Sequence, residues 1–342
     1  MLQPISEAER AAILQTSRTG AAHRKLMATL PAMNALELGG TANRTTLPAR
    51  IGVAAWNVER CLFPEETAKH LAPHGLDVIL LSEVDNGMSR TGQRNTTAEM
   101  ASALGCAYAF GVEFFEMDLG GPTERAFCKD DFNAFGWHGN SILSTAPFQA
   151  TQLIRLDQDG YWFCTGPGSA GNEEQPRVGG RMAVAAIIES EAEPICFVST
   201  HLESNSGHEF RHAQFTVLLD AIDAFAPGLP VLIGGDLNTG NHLPPDFDWR
   251  NETLFALAEA RGYRWDLTAE GTTTRPSLIT PHPGRKMKLD WFASRRLPGS
   301  SRPTLSSVDA TGRPLSDHDC MLCDIAPGSI GWLKAQNIPM SA

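Results

Sequence analysis

Residues 230–238 read PVLIGGDLN: a proline, three apolar residues, two glycines, then Asp236 and Asn238. A run this short, rich in branched side chains and closed by glycines, reads as a strand covered on both faces whose end delivers polar groups to a rim. The same design recurs outward in both directions. IGVAAW (51–56) leads into Asn57 and Glu59, DVILLS (77–82) into Glu83, and ICFVST (195–200) into His201. On the other side KL (288–289) precedes Asp290, while Asp317 and His318 open the last run, DCMLCDI (319–325). GNSILS (139–144) and RMAVAAIIE (181–189) are further runs of strand length.

Helical stretches lie between and before these runs. SEAERAAILQ (6–15) offers Ser6 as a cap and Glu9 to close a capping box. TTAEMASALG (96–105) and HEFRHAQFTVLLDAIDAF (208–225) follow, the latter with Phe210, Val217, Leu218, Ala221, Ile222 and Phe225 at helical spacing. Strands mixed with helices predict an α/β domain of sheet and helix layers around one core. The expected division is an N-terminal helical extension at 1–45, a catalytic domain at 46–328 and a tail at 329–342. TGPGSAGNEEQPRVGG (165–180) reads as a long loop at the rim of a site.

With 42% hydrophobic residues the 342-residue chain is able to bury a large core. Its 39 acidic against 28 basic residues leave a net charge of −11, which argues against strong nonspecific nucleic-acid binding. The N-terminus lacks a basic start followed by an apolar run, and no stretch approaches the ~18 apolar residues of a membrane span, so a cytoplasmic protein is expected. Seven scattered cysteines do not form a disulfide framework. Cys320 and Cys323 have the spacing of a zinc or redox pair, but on a strand residues three apart face opposite sides, so both read as core cysteines.

Carboxylates and an amide from separate strands, meeting at one rim, suit a hard divalent cation such as magnesium or manganese. Without one they would repel each other. Histidines in the same cluster add proton transfer or contacts to phosphate oxygens. Each residue also has an ordinary reading: Asp236 as a turn or cap, Asn57 as a strand-end residue, Glu83 as a solvated acid, His201 as a satisfied structural histidine. The ordered set is what points to metal-assisted hydrolysis.

WNVE, LLSEVD, GNSILS, STHLES, GGDLN, KLDW and SDHD, in this order, resemble the endonuclease/exonuclease/phosphatase superfamily. The resemblance implies a four-layer α/β sandwich, two packed mixed β-sheets flanked by helices. It implies a metal-dependent phosphoesterase in which Glu83 is the main metal carboxylate with Asn57, Asp317 and Glu59 nearby. Asp236 and Asn238 resemble the pair that positions the attacking water and the phosphate. His318 resembles the histidine that contacts the scissile phosphate or moves a proton, with Asp290 orienting it, and His201 matches a second histidine. Glu59 stands where several members carry Asp, and its longer arm has to reach further. His201 in THLES departs from the abasic-site endonuclease pattern. Arg90, Arg94, His138 and Arg181 are the candidates for holding the phosphate-ester substrate, by bidentate contact in the case of Arg90 and Arg94. The readings carried forward are a phosphodiesterase on a small or lipid-like substrate, a nuclease of the same fold, and a non-catalytic binding module.

Overall fold

The computed structural model describes residues 2–157, 159–171, 176–282, 284 and 286–328. The expected tail at 329–342 lies outside the described residues, as does part of the 165–180 loop. In chain order the strands are β1 (Leu36–Gly40), β2 (Ile51–Arg60), β3 (Val78–Asn86), β4 (Ala107–Glu116), β5 (Trp137–Ser144), β6 (Phe148–Arg155) and β7 (Arg177–Gly179). They continue with β8 (Met182–Ile188), β9 (Ile195–His201), β10 (Val231–Asp236), β11 (Asp290–Arg295), β12 (Gly299–Leu305) and β13 (Cys320–Ile325). The helices are α1 (Glu7–Leu14), α2 (Gly20–Thr29), α3 (Pro64–Leu71), α4 (Thr96–Leu104), α5 (Pro122–Arg125), α6 (His208–Phe225) and α7 (Leu254–Ala260).

The strands form two mixed sheets, one of eight in the order β1-β4-β5-β3-β2-β13-β12 with β7 added on β4, the other of five in the order β11-β10-β9-β8-β6. Within each sheet one pair is parallel, β2 with β3 and β9 with β10. Alternation along the strands sorts their side chains into three cores. Val53, Ala55, Val78, Leu80, Phe197 and Leu232 meet between the sheets. Ala54, Trp56, Ile79 and Leu81 face outward with Met100 and Ala101 of α4. Cys196, Val198 and Ile233 pack outward with Leu218 of α6 and Ala258 of α7. The result is the α/β sandwich, helices outside and sheets inside. Because both faces of each central strand are covered, these runs lack polar alternation. Cys320 belongs to the outer core and Cys323 to the core between the sheets, on opposite faces as expected. No helix among the described residues is long and apolar enough to cross a membrane.

Three details depart from the sequence reading. The first 45 residues, expected as a helical extension, also contribute a strand: β1 pairs antiparallel with β4, and Leu2, Ile5, Ile13, Met27 and Met33 share the outer core of the larger sheet. The capping box of α1 forms as expected, with Ser6 and Glu9 bonding reciprocally. On α6 the inward face is Phe215, Leu218, Leu219 and Ile222, whereas Val217 is exposed. The loop at 165–180 closes into β7 at its C-terminal end.

Candidate active site

Strand ends and two bulges bring the acidic and amide groups together. Between β2 and β3 the pairing shifts after Asn57, and between β3 and β5 it shifts after Leu81, so an extra residue is inserted in β2 and in β3. Such bulges re-aim side chains beside functional sites. Glu59, Arg60 and Glu83 adopt positive φ of 42°, 73° and 60° there, and Asn238 does so at 49°. Non-glycine residues held in this region are strained positions that the surroundings must enforce. The glycine pair before Asp236 answers a steric need: a Cβ on Gly235 would stand 1.9 Å from the Thr200 carbonyl oxygen, and one on Gly234 2.7 Å from Leu80.

At the rim of the smaller sheet His201, Asp236 and Asp290 lie side by side in register. Asp236 Oδ1 accepts the Asn238 N–H at 2.8 Å, and Oδ2 accepts Asn57 Nδ2 at 3.1 Å. Nε2 of both His201 and His318 stands 3.6 Å from Asp236 Oδ2. His318 Nδ1 bonds Asp290 Oδ2 at 2.8 Å. Burial alone would lower His318, but Asp290, Asp236 and Asp317 overcome it and raise the imidazole well above its ordinary value. Burial raises Asp236, against the pull of His318. It raises Asp317 as well. Asn238 Nδ2 donates to the Leu202 carbonyl at 3.1 Å.

The larger sheet faces this row with Asn57 and Glu83. Asn57 Nδ2 reaches Glu83 Oε1 at 3.2 Å, and Arg60 ion-pairs the other oxygen. Burial pushes the Glu83 carboxyl up, but Arg60 and then His201 reverse this and hold it far below the usual range. The cleft between the two rims encloses about 220 Å³ and is lined by Asn57, Glu83, His201, Asp236, Asn238, Asp317 and His318, with Ser204, Thr274, Arg275 and Leu289. A larger hollow of about 850 Å³ sits at the far end of the larger sheet, beside Arg44, Asp77 and Thr145. It holds no comparable set of acids and histidines, so chemistry rather than volume selects the smaller cleft.

The oxygen donors fit a hard divalent cation, since Glu83, Asp236 and Asp317 line one cleft, and Asp290 beside Asp236 has a buried Oδ1 with no hydrogen-bond partner among the described residues. The tightest potential ligand group among the described residues is Asp236, Asp290 and His318, whose ligand atoms lie within 4.8 Å of one another. His318 is already bonded to Asp290 and carries raised basicity, so this trio reads more naturally as a charged histidine between two carboxylates.

Other candidates are placed differently. Glu59 is buried outside the cleft lining, and its Oε1 accepts the hydroxyls of Ser277 and Thr280 at 2.7 and 2.8 Å. Burial and then the neighbouring Asp317 push its carboxyl up to about 8. Arg90 is buried and bidentate to Asp85 at 2.7 and 2.9 Å, with Nη1 donating to Glu116 and Glu124. Arg94 pairs with Glu65 and Glu99. Neither guanidinium lines the cleft, because carboxylates five residues away, Asp85 and Glu99, and more distant ones, Glu116, Glu124 and Glu65, have claimed its donors. His138 Nδ1 bonds Asp85 Oδ1 at 2.9 Å behind Glu83, also outside the lining. Arg181 backs His201 from behind: Nη1 lies 2.8 Å from His201 Nδ1 and 3.1 Å from Glu113, and Nε 3.2 Å from Glu203.

The sequence reading passed over Arg60, Glu113, Glu203, Thr274 and Arg275. An acid inside the apolar run AYAFGVEFFE (107–116) was a usable signal for Glu113. For the remainder, only the fold supplies the partners.

The model described as Endonuclease/Exonuclease/phosphatase family matches residues 54–318. No curated protein matches the sequence. Among solved structures the chain is similar to an endonuclease/exonuclease/phosphatase from Beutenbergia cavernae, with 18% identity and a TM-score of 0.58, covering 82% of this chain and 72% of that one. It is similar to the human Nocturnin catalytic domain with bound sulfate anion, with 17% identity and a TM-score of 0.55, covering 85% and 97%. A third likeness is to a Leptotrichia buccalis family protein, at 16% identity and a TM-score of 0.51, covering 80% and 99%. At these identities the likeness shows the fold.

Proposed function

Because the chain belongs to the endonuclease/exonuclease/phosphatase family, we propose that it is a divalent-metal-dependent phosphodiesterase. The observation that carries this reading is the cleft in which Asp236 stands between two histidines, one of them bonded to Asp290, opposite Glu83 and Asn57. Glu83 and Asp317, with Asn57, are the residues to hold magnesium, or manganese in its place. A cation bound there neutralises charge on the phosphoryl group and polarises phosphorus toward attack.

The chain's own groups do the rest. Asp236, raised by burial, aligns a water in line with the phosphorus and takes its proton. Asn238 and Asn57 donate to phosphoryl oxygens as charge develops on them. His318, kept charged by its carboxylates, donates to the departing oxygen, and Asp290 holds its ring. His201, backed by Arg181, adds a second donor on the other side of Asp236. No covalent intermediate is needed.

Net charge −11 supports a small or lipid-like phosphate ester over a polynucleotide. The test is hydrolysis by the magnesium-loaded protein of a generic phosphodiester, a phosphomonoester, plasmid DNA and single-stranded DNA. The diester should be cleaved fastest. Preferential DNA cleavage would make the protein a nuclease, and no hydrolysis of any of them, with magnesium bound, would make it a binding module.

A further inference from the structure

The cleft's Asp317 side is bordered by residues 273–280, which read TTRPSLIT. This segment is anchored near its start through Thr273, Thr274 and Arg275, with the Thr273 N–H donating to the Met287 carbonyl at 2.8 Å and Thr274 Oγ1 accepting the Met287 N–H at 2.8 Å. Thr273 Oγ1 accepts the Leu289 N–H at 3.0 Å, and the Arg275 N–H donates to the Asp317 carbonyl at 2.8 Å. Its outer part has a further anchor, supplied by Glu59 of β2. Ser277 and Thr280 form a tight turn, the Ser277 N–H reaching the Thr280 carbonyl at 2.9 Å and the Thr280 N–H reaching Ser277 Oγ at 2.8 Å. Both hydroxyls of this turn then converge on a single oxygen, Glu59 Oε1, at 2.7 and 2.8 Å. Thr274 and Arg275 are the two residues by which this segment lines the cleft, Arg275 with its Nη1 on Asp319 Oδ1 at 2.8 Å.

Glu59 is shaped for this task by the β2 bulge. Its positive φ of 42° turns the chain so that its N–H donates to Asn57 Oδ1 at 3.0 Å while its side chain reaches across to the turn. Hydroxyl bonds to a buried carboxyl are worth more than neutral surface ones, and two on one oxygen fix a direction as well as a distance. One oxygen of a residue assigned by resemblance to the metal is thus taken by the turn.

We propose that Glu59 is the latch of the loop at residues 273–280, a positioning residue that holds Thr274 and Arg275 beside the substrate's phosphate group and is not a cation ligand. The proposal rests on the phosphoesterase reading of the cleft. Releasing the latch loosens the grip on substrate and leaves the cation site and the attacking water in place.

The test compares Glu59→Ala, Glu59→Gln, the paired Ser277→Ala and Thr280→Val variant, and Glu83→Gln. Three readouts are taken: magnesium affinity by calorimetry, KM and kcat on a generic phosphodiester, and amide hydrogen exchange at 273–280. Glu59→Ala and the Ser277/Thr280 variant should each raise KM roughly tenfold with kcat little changed, and their combination should be much less than additive. Exchange at 273–280 should speed up in both. Glu59→Gln keeps an acceptor oxygen, so KM and exchange should return close to wild type, with magnesium affinity retained while Glu83→Gln loses it. Magnesium affinity falling in Glu59→Gln as in Glu83→Gln would make Glu59 a ligand and overturn the proposal. So would unchanged KM and exchange in the Ser277/Thr280 variant. A wild-type protein that neither binds magnesium nor hydrolyses the ester would defeat the phosphoesterase reading and the positioning role with it, and hydrogen exchange would still decide whether the latch exists.

Discussion

The acids behind Glu83 and those at the rim of the smaller sheet are all buried, and they are compensated in opposite ways. Behind Glu83 on the larger sheet, Asp85, Glu113, Glu116 and Glu124 are each paired with an arginine, from among Arg60, Arg90, Arg177 and Arg181. Burial pushes Glu124 up, but Arg60 and Arg90 bring it down to about 2. On the smaller sheet no arginine pairs with Asp236 or Asp290 among the described residues, and their cationic neighbours are His318 and, for Asp236, His201. Burial raises Asp236, and the pull of His318 does not reverse it. Compensated charge behind Glu83 makes a buried wall, whereas charge left to histidines suits the proton transfer proposed for Asp236. On that proposal the same residue type serves architecture behind one rim and chemistry on the other.

If that division is right, substitutions on the two rims should fail differently. The largest effect is expected from Asp236→Asn, which removes the proposed base: kcat should fall by ~10²–10⁴-fold at saturating magnesium. Near-normal turnover would remove Asp236 from the chemistry. Next come His318→Ala and His201→Ala, each expected to lower kcat by at least ~10²-fold, in the range measured for a lost donor to transition-state charge. Asp290→Asn should act through His318, so its effect combined with His318→Ala should be much less than additive in kcat. Full additivity would mean that Asp290 acts on its own.

The wall should answer in stability instead. Arg90→Met leaves Asp85 without an arginine and Glu116 and Glu124 with one each, Arg177 and Arg60, and breaking a buried pair from one side costs about 3–5 kcal/mol. Urea titration should show this loss, and an unchanged midpoint would mean that the network contributes nothing. The smallest effect is expected from the paired Cys320→Ser and Cys323→Ser variant, in which the folded protein should keep its magnesium affinity and turnover. Loss of a stoichiometric zinc ion in that variant would contradict the reading of both as core residues.

How much of this was legible in the sequence follows the same division. Asn57, Glu83, His201, Asp236, Asp290 and His318 could be found because each closes or opens an apolar run, and a strand buried on both faces carries polar residues to its end. Helix α6 was legible in extent, though not in facing, since Val217 and Leu219 fit a helical stripe equally well until the sheet chooses between them. The arginine wall was hidden for a physical reason. Arg60 and Glu124 are 64 positions apart, and no local pattern announces their pairing. Arg90 and Arg94 looked available for phosphate because their carboxylate partners arrive from β3, β4, α3, α4 and α5. The bulges that turn Glu59 and Glu83 were equally hidden, as the positive-φ positions carry glutamate and arginine where glycine would have marked them.

The proposed activity requires that Glu83 and Asp317, with Asn57, hold a divalent cation in this cleft and that the protein hydrolyses a phosphate ester with it. The direct measurement is hydrolysis of a generic phosphodiester by protein stripped with EDTA, verified as metal-free, and then titrated with magnesium or manganese. Activity should be absent after stripping and return in step with occupancy in the wild-type protein, while Glu83→Gln should require far more metal. Full hydrolysis by the verified metal-free protein would contradict the claim.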